Sequence, residues 1–312
     1  MALLLTEEDV ARALTFKDAY EAMKEAFSME DKGLAVNTQR VRTLFRGTAM
    51  TYQAAALGDY FGFKTFVSKA FMGALFRSDG ELLLLTASDY LTRVRTGALA
   101  VLASDYLKGQ YSEVCVVGLG RQGSFAVKAF NELKGVKPLV SAKTEQGVKV
   151  GLENLGAIKA EGRVVKVQEC VSSADVVTTV TNSKEPFVKL ESLRPGSHVN
   201  AMGSNLPERA ELFPEVLKNA SLIAVEDVQQ AMSEAGELIL ARKLGMLDEG
   251  KVVPFSSVVS GKNGRRSDGD LTVFKSVGIG LLDVAVMVRL LELANKYGLG
   301  KEVSLSLKWS PR

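Results

Sequence analysis

The feature that most constrains the fold is the segment EVCVVGLGRQGSFAVKAF at residues 113–130, where an apolar run leads into three glycines and then into a helix pattern. Gly118 and Gly120 allow the tight turn and close backbone approach that a pyrophosphate needs, and Gly123 allows a helix to pack closely on the strand. Such glycines also occur in merely structural turns. Their position between a strand and a helix favours a dinucleotide-binding turn.

Strand and helix patterns alternate after this turn, up to about residue 299. The apolar runs include KPLVSA, VVKVQE, ADVVTTV, HVNAMG and SLIAVE, and helices are expected near residues 145–160 and 228–244. This alternation is typical of a doubly wound parallel sheet with helices on both faces. We therefore predict a dinucleotide-binding Rossmann domain at residues 113–299.

The residues before the turn follow a different rhythm. TFKDAYEAMKEAFSME has apolar residues at helical spacing, and residues 34–86 contain short β-type runs broken by Gly47, Gly58 and Gly73, which predict an antiparallel sheet. The C-terminal run VSLSLKW is a strand pattern that we expect to return to this first sheet. The predicted fold class is α/β: a Rossmann-type doubly wound parallel sheet inserted into an α+β domain formed by residues 1–112 plus about 300–312.

Composition argues against several classes of partner. The formal net charge is +3 with acids and bases mixed along the chain, so neither nucleic acid nor a membrane surface is an expected partner. No apolar run approaches the roughly 20 residues of a membrane span, and the start of the chain lacks a secretion-signal pattern. Cys115 and Cys170 lie in apolar surroundings and are interpreted as buried reduced thiols. Together these features predict a cytoplasmic protein, and without ligand-spaced His, Cys and acidic residues we predict no metal site.

Cofactor choice is normally signalled at the end of the second Rossmann strand, where an acid accepts the ribose 2'-hydroxyl of NAD. Here that position reads Ser141, Ala142, Lys143 and Thr144, and the first acid, Glu145, comes late. This pattern favours NADP(H) over NAD(H), with Lys143 and Thr144 near the 2'-phosphate. The alternative is that Lys143 is an ordinary solvated surface residue.

Six linked segments carry a family resemblance. YLTRVRTGALAVLASDYL, VVGLGRQG, ADVVTTVTNSKEPFV, LRPGSHVNAMGSNLPERAEL, VVSGKNGRR and LTVFKSVGIGLLD occur in this order. Together they resemble the ornithine cyclodeaminase and mu-crystallin family over nearly the whole chain. The resemblance implies a two-domain fold with an inserted Rossmann domain, and a homodimer formed through the N-terminal domain.

The resemblance also implies substrate-binding and catalytic residues. Arg42 looks like the arginine that holds a substrate carboxylate, with Arg40 as a competitor, and a guanidinium suits a carboxylate by two parallel hydrogen bonds. Lys64 matches the family's active-site lysine, although by itself it reads as a strand lysine facing water. Val277 matches a residue beside the substrate. Asn205 occupies the position of an aspartate that handles a substrate proton in the cyclodeaminases, and an amide cannot take that proton.

The resemblance adds further cofactor contacts to the glycine turn, of which Arg95 and Thr96 would otherwise read as surface residues of a helix. These contacts are Arg95, Thr96, Arg121, Gln122, Thr181, Arg209 and Ser276. The single histidine, His198, begins an apolar strand and is interpreted as structural.

The leading functional hypothesis is an NAD(P)H-dependent oxidoreductase that reduces a small imino acid or interconverts an amino acid and its imine. A cyclic imine fits Asn205 best, because its reduction needs neither a leaving ammonia nor a carboxylate base. The alternatives are ornithine cyclodeaminase, alanine dehydrogenase, and a non-catalytic protein that holds NADPH and a carboxylate ligand.

Overall fold

The computed structural model describes residues 1–305. The strands are β1 (Ala2–Leu5), β2 (Ala35–Asn37), β3 (Val41–Phe45), β4 (Thr48–Leu57), β5 (Tyr60–Val67), β6 (Ala70–Arg77), β7 (Leu82–Ala87), β8 (Val114–Val117), β9 (Leu139–Ser141), β10 (Arg163–Val164), β11 (Val176–Thr179), β12 (His198–Ala201), β13 (Leu222–Val225), β14 (Val252–Pro254), β15 (Thr272–Lys275) and β16 (Lys301–Val303). The α-helices are α1 (Glu7–Ala13), α2 (Phe16–Asp31), α3 (Asp89–Leu107), α4 (Arg121–Lys134), α5 (Glu145–Ala157), α6 (Val167–Ser172), α7 (Pro214–Asn219), α8 (Val228–Glu234), α9 (Gly236–Lys243), α10 (Phe255–Val259) and α11 (Gly280–Tyr297).

The chain divides into two compact units. Unit 1 comprises Met1–Arg95 and the residues from Ile279 onward, and unit 2 comprises Thr96–Gly278. The sequence-based boundaries at 112/113 and about 300 differ from these. In the structure, the first boundary falls inside α3 and the second falls just before α11. The sequence could not place them, because a helical pattern does not say which sheet a helix packs against.

Unit 1 is built on a mixed sheet with the order β16-β1-β7-β6-β5-β4-β2, and β3 pairs with β4. Strands β4 to β7 form the antiparallel series that the β-type runs predict. Helix α2 begins at a capping box, in which the Thr15 side chain accepts from Asp18 N and the Asp18 carboxylate accepts from Thr15 N. Its buried stripe includes Phe16, Met23 and Phe27.

Helix α11 packs on one face of this sheet at unusually short range. A Cβ at Gly62 on β5 would lie 2.9 Å from Val284 Cγ2, and a Cβ at Gly73 on β6 would lie 2.5 Å from Met287 Sδ. A side chain at Gly62 would also lie 2.9 Å from the backbone oxygen of Ala74, and one at Gly73 would have to displace the end of the Met287 side chain, so glycine allows the helix to pack this closely. The sequence-based prediction that α11 belongs to the cofactor domain is therefore wrong.

Unit 2 contains an eight-stranded parallel sheet with the order β10-β9-β8-β11-β12-β15-β13-β14. The four central strands, β8, β11, β12 and β15, are buried along their whole length, as expected when helices cover both faces. Successive strands are added on one side of β8 up to β10 and on its other side from β11 onward. The carboxyl edge between β8 and β11 is therefore the crevice where a doubly wound fold binds its ligand. The predicted fold class is confirmed.

The two cysteines are not free thiols. Cys115 on β8 and Cys170 on α6 form a disulfide with Cα atoms 5.3 Å apart, and both residues are fully buried. The sequence indicated their burial, but pairing depends on where α6 packs against β8. The interpretation as reduced thiols is corrected.

Two local expectations need adjustment, and a third holds in part. The helix expected at 228–244 is two helices, α8 and α9, separated at Ala235, and much of the run VVKVQE is helix α6 rather than strand. Strand β16 does return to the first sheet, where it pairs antiparallel with β1, but it contains only Val303 of the predicted run VSLSLKW. Ser304 and Leu305 are not strand, and the rest of that run lies outside the described residues. Within residues 1–305, no helix has the length and apolar character to cross a membrane.

Candidate active site

The Lys64 side chain lies on the face of the unit 1 sheet that α11 covers. Four residues stand side by side across strands β4 to β7 in the order Gln53, Lys64, Gly73 and Thr86. Lys64 is only 2% exposed, and its two polar row neighbours are also buried. The sequence-based reading of a strand lysine facing water is therefore wrong, because the covering helix cannot be seen in the local pattern.

Asp283, on the first turns of α11, pairs with two cations. Lys64 Nζ lies 2.7 Å from Asp283 Oδ2, and Arg95 Nε donates to Asp283 Oδ1 at 3.2 Å. Lys64 Nζ also donates to Thr92 Oγ1 at 3.4 Å. The Asp283 side chain is 1% exposed, so one carboxylate balances part of the charge of two buried cations. We call Lys64, Asp283 and Arg95 the lysine cluster.

Burial and charge together set the ionisation of the lysine cluster. Burial lowers the pKa of Lys64 to about 8; attraction to Asp283 opposes this fall, and repulsion from Arg95 and Arg40 adds to it. Burial alone would raise the pKa of Asp283, but the Lys64 and Arg95 charges outweigh burial and hold it below its usual value. An ammonium with a pKa near neutrality can both give and take a proton under physiological conditions.

The two arginines proposed as carboxylate anchors lie at different positions. Arg42 lies on β3 opposite Thr51, one row beyond Gln53, and is half-buried. Arg40 precedes β3, and its charge is among those that lower the pKa of Lys64. The structure thus brings Arg40 close enough to act on the ammonium, and the choice of Arg42 stays a prediction.

The glycine turn of unit 2 has the geometry that a dinucleotide requires. Gly118 has φ +102°, and a Cβ there would lie 2.4 Å from Val180 O. A Cβ at Gly123 would lie 1.8 Å from Gly118 O, whereas the space at Gly120 is open. Two glycines are therefore needed for packing, and the third leaves backbone accessible at the start of α4. This open cradle fits a pyrophosphate.

Arg121 and Gln122 are the first two residues of α4, next to the open side of the turn. Thr96 lies in α3 and is buried. Arg95, predicted to reach the cofactor phosphates, donates its Nε to Asp283 in unit 1. The cofactor contacts of these side chains stay predictions.

A cavity of about 710 Å³ lies at the carboxyl ends of β9 and β10. It is lined by Lys143, Thr144, Arg163 and Lys166 among others. The Thr144 hydroxyl is the N-cap of α5 and accepts from Gly147 N at 3.0 Å. Lys143 is exposed and its Nζ donates to Ser183 Oγ at 2.9 Å, so the choice between a cofactor contact and a solvated surface residue stays a prediction.

A buried carboxylate, Glu211, joins the loops that follow β11 and β12. Its Oε1 accepts from Thr181 N at 2.7 Å, and its Oε2 accepts from Gly203 N at 2.9 Å. Burial raises the pKa of Glu211, while the Lys275 charge opposes that rise. The predicted cofactor residue Thr181 is thereby fixed at the carboxyl edge of the sheet.

The loop after β12 carries two further predicted residues. Asn205 is half-buried there. Arg209 Nη1 donates to Asn182 Oδ1 at 3.1 Å, and its Nε is buried without a hydrogen-bond partner among the described residues. Since buried donors are normally paired, the orphaned Nε suits an anionic ligand at this edge.

Ser276 and Val277 directly follow β15 and are buried. Ser276 Oγ donates to Glu226 Oε1 at 2.6 Å. His198, at the start of β12, lies at the opposite end of the strands, with both ring nitrogens 2.9 Å from a partner, Thr272 Oγ1 and Asn200 Oδ1. Burial lowers its pKa to about 4, and this location fits the structural interpretation of His198.

Three buried acids of these sites were missed from the sequence: Asp283, Glu226 and Glu211. An acid inside an otherwise apolar run was the available signal, since Asp283 stands in GIGLLDVAVMV and Glu226 in SLIAVED. A charge placed among apolar residues is buried only when it is paired, so each predicts a partner without identifying it.

Comparison with known proteins places the chain in a family. The model of the ornithine cyclodeaminase/mu-crystallin family matches residues 1–296. Delta(1)-pyrroline-2-carboxylate reductase of Bacillus cereus is 31% identical over 244 residues, 75% of each chain, and alanine dehydrogenase of Archaeoglobus fulgidus is 30% identical over 318 residues, 96% of this chain and 98% of that one. A solved archaeal alanine dehydrogenase dimer with bound NAD has a TM-score of 0.89 at 28% identity, covering 98% of this chain and 99% of its own. The protein belongs to the ornithine cyclodeaminase/mu-crystallin family, as its motifs predict.

Proposed function

We propose that the protein is an NAD(P)H-dependent oxidoreductase that reduces the C=N bond of a small, cyclic imino acid. The observation that carries this proposal is the lysine cluster, in which a buried ammonium with a pKa of about 8 is held by one carboxylate beside a second cation. A group of this kind can deliver a proton at neutral pH. Because the lysine cluster has two cations and one carboxylate, its net positive charge favours binding of a substrate carboxylate nearby.

The charged side chains around Lys64 in unit 1 have separate roles in this reaction. The guanidinium of Arg42 or of Arg40 binds the substrate carboxylate by paired hydrogen bonds. Protonated Lys64 donates its proton to the imine nitrogen, and solvent later restores that proton. Asp283 holds Lys64 in place and favours its charged form, since an adjacent opposite charge stabilises the ammonium.

Unit 2 would hold the cofactor at the carboxyl edge of its sheet. Gly118, Gly120 and Gly123 form the pyrophosphate cradle, and Arg209 offers a buried donor without a partner among the described residues. When bound, the nicotinamide cofactor supplies a hydride to the imine carbon. Hydride from the cofactor and a proton from Lys64 together convert the imine to an amine.

Asn205 favours a cyclic imine as substrate. A cyclic imine retains its nitrogen within the ring, so its reduction releases no ammonia and needs no base to deprotonate an amine. Asn205 cannot serve as such a base because an amide does not ionise at neutral pH. The similarity to a delta(1)-pyrroline-2-carboxylate reductase supports the same substrate class.

We favour NADP(H) over NAD(H) because of the cavity at the ends of β9 and β10. Lys143, Arg163 and Lys166 line it together with two acids, Glu145 and Glu169, but no acid directly follows β9 to accept a ribose 2'-hydroxyl. Replacing Arg163 and Lys166 together by Ala should raise KM for NADPH about tenfold or more, because charge-assisted hydrogen bonds to the phosphate are lost, and should leave KM for NADH unchanged. An equal effect on both cofactors would contradict this preference.

A homodimer is supported by the other face of the unit 1 sheet. Strand alternation places seven exposed, large apolar residues on the face opposite Lys64: Val41, Phe45, Met50, Tyr52, Phe61, Val67 and Met72. A contiguous apolar patch of this kind is typical of an interaction surface. We call it the apolar face and propose that a second copy covers it.

We also propose a cytoplasmic location, since a reductase needs a supply of reduced cofactor. The buried disulfide is compatible with that location only if it resists the reductants of the cytoplasm, where disulfides are uncommon.

The decisive experiment measures oxidation of NADPH and NADH with the cyclic imines of proline and pipecolate, and separately with pyruvate plus ammonia. Rapid oxidation with a cyclic imine supports the proposal. Oxidation only with pyruvate plus ammonia identifies an alanine dehydrogenase, and ammonia release from ornithine without net cofactor change identifies a cyclodeaminase. Cofactor binding without turnover of any of these substrates supports the alternative of a non-catalytic binding protein.

A pair of lysine variants tests the assigned acid. Lys64→Met should lower kcat about 10²- to 10⁴-fold, the usual contribution of a positioned proton donor. Lys69→Met removes an exposed lysine from the turn between β5 and β6 and should change nothing. Unchanged turnover in Lys64→Met would reject Lys64 as the proton donor.

A further inference from the structure

The carboxylate of Glu226 binds three consecutive residues at the end of β15. Its Oε1 accepts from Ser276 Oγ at 2.6 Å, and its Oε2 accepts from Val277 N at 2.8 Å. Gly278 N lies 3.2 Å from both oxygens. Glu226 is 1% exposed, so these hydrogen bonds form in a buried environment, where they are strongest.

The location of Glu226 follows from the sheet register. β13 and β15 are parallel neighbours, and Val225 pairs with Lys275, so Glu226 and Ser276 both emerge at the carboxyl edge. The glycine turn follows β8, and the adenosine half of a dinucleotide lies over β8, β9 and β10 in such a sheet. The nicotinamide half therefore belongs to the side formed by β11, β12 and β15.

The same segment is fixed from a second direction. Gln230 on α8 is buried, and its Nε2 donates to Gly278 O at 3.1 Å and to Glu234 Oε2 at 3.0 Å. Gly278 has φ +74°, a conformation that favours glycine. The Gly278 N–H and C=O are thus both held by buried side chains, which leaves the segment little freedom to move.

We propose that Glu226 is a positioning residue: its carboxylate fixes the segment Ser276, Val277 and Gly278, and that segment sets the orientation of the nicotinamide ring. This inference rests on the proposed function, since it assumes hydride transfer from a cofactor bound to unit 2. Glu226 itself acts only through the segment.

The chemistry of the side chain matters as much as its shape. The carboxyl group of Glu226 presents two oxygens, and three donors converge on them: Ser276 Oγ, Val277 N and Gly278 N. Glutamine has nearly the same volume, but its NH₂ group cannot accept from a backbone N–H. If that NH₂ faces Ser276, the hydroxyl can accept from it, and Gly278 N keeps only one of its two acceptor oxygens. Glu226→Gln therefore removes the carboxylate and one acceptor for a backbone N–H without creating a cavity.

The test compares wild type with Glu226→Gln and Ser276→Ala. Fluorescence of bound NADPH reports the affinity and the anisotropy of the dihydronicotinamide, and turnover with a cyclic imine uses NADPH with and without deuterium at C4. For Glu226→Gln we expect near-normal affinity, lower anisotropy, a larger isotope effect and a kcat lowered about 10- to 100-fold. Ser276→Ala should show the same changes at smaller size, because two backbone hydrogen bonds remain.

The control is Asp248→Asn, which alters an exposed carboxylate that accepts from Gly250 N at 3.0 Å in the same unit. It should match wild type in every readout. A folded Glu226→Gln with wild-type anisotropy and kcat would overturn the proposal. If Glu226→Gln does not fold, wild-type anisotropy and kcat in Ser276→Ala would overturn it instead.

The two proposals fail in different ways. If wild type reduces no imine, the proposed function fails, but the anisotropy comparison still tests Glu226 because it requires only the cofactor. If wild type reduces imines and the variants behave as wild type, the proposed function stands and the positioning role is rejected.

Discussion

Replacing Asp283 by Asn should move the alkaline limit of activity to lower pH. In the wild type, protonated Lys64 is the proton donor, so the rate should fall as pH rises through its pKa of about 8. Asp283 is the main group that favours the charged form of Lys64. Without it, burial and the Arg95 charge still lower the pKa, and nothing of comparable strength opposes them.

The size of the shift can be worked from the 2.7 Å contact between Lys64 Nζ and Asp283 Oδ2. Charge centres about 4 Å apart attract by about 4 kcal/mol at an effective dielectric constant of about 20, which corresponds to about three pH units as an upper limit. Structural relaxation reduces this value, and we expect a shift of at least about one unit. At pH 8, a one-unit shift lowers the protonated fraction of Lys64 from about half to about a tenth.

The assay is the pH profile of kcat/KM for imine reduction, measured on Asp283→Asn and wild type. Glu292→Gln is the matched control, since it removes an acid from the exposed pair with Arg289 on the same helix and should leave the profile unchanged. An alkaline limit that stays at the wild-type pH in folded Asp283→Asn would refute this account of Lys64. Stability should also fall by about 3–5 kcal/mol, because a buried cation loses its partner.

Three further predictions concern stability and assembly. Burial lowers the pKa of His198 from 6.5 to about 4, so the folded protein binds fewer protons than the unfolded chain between these values. Its unfolding free energy should therefore fall by about 3 kcal/mol as pH falls through this range, and urea unfolding of His198→Asn should show a flatter pH dependence; an equal slope in both proteins would contradict this. The disulfide between Cys115 and Cys170 spans 55 residues, so reduction should cost about 4 kcal/mol of stability in the wild type and nothing in the double Ala variant. Equal sensitivity of both proteins to reductant would show that the bond does not stabilise the fold. Met72→Glu on the apolar face should give a monomer in analytical ultracentrifugation, whereas Val150→Glu, an exposed apolar position on α5, should keep the wild-type mass. A dimeric Met72→Glu would place the interface elsewhere.

The sequence was sufficient to predict the parallel sheet of unit 2. Its strands are short apolar runs, and its turn needs glycine for reasons that involve only neighbouring backbone, as Gly118 and Gly123 show. Such patterns depend on local geometry and can be read without the tertiary structure. The linked motifs also indicated the family, and comparison confirmed it.

The partners of the charged residues could not be predicted in this way. Arg95 and Asp283 are separated by 188 residues, and only the packing of α11 on the sheet brings them together. The same packing buries Lys64 and lowers its pKa. A local pattern identifies Lys64 as a residue on a strand, but it does not say what covers that strand.

The sequence alone thus indicated most of the elements, the class of the sheet in unit 2 and the glycine cradle, because apolar runs, their alternation with helix patterns and glycine turns can be read from residues close together in the chain. The tertiary structure decided the assignment of α11 to unit 1, the pairing of Cys115 with Cys170, and the carboxylates that hold Lys64 and Ser276. These features depend on contacts between distant segments. Burial there makes an unpaired polar group costly, so the packing selects the partner that each group must have.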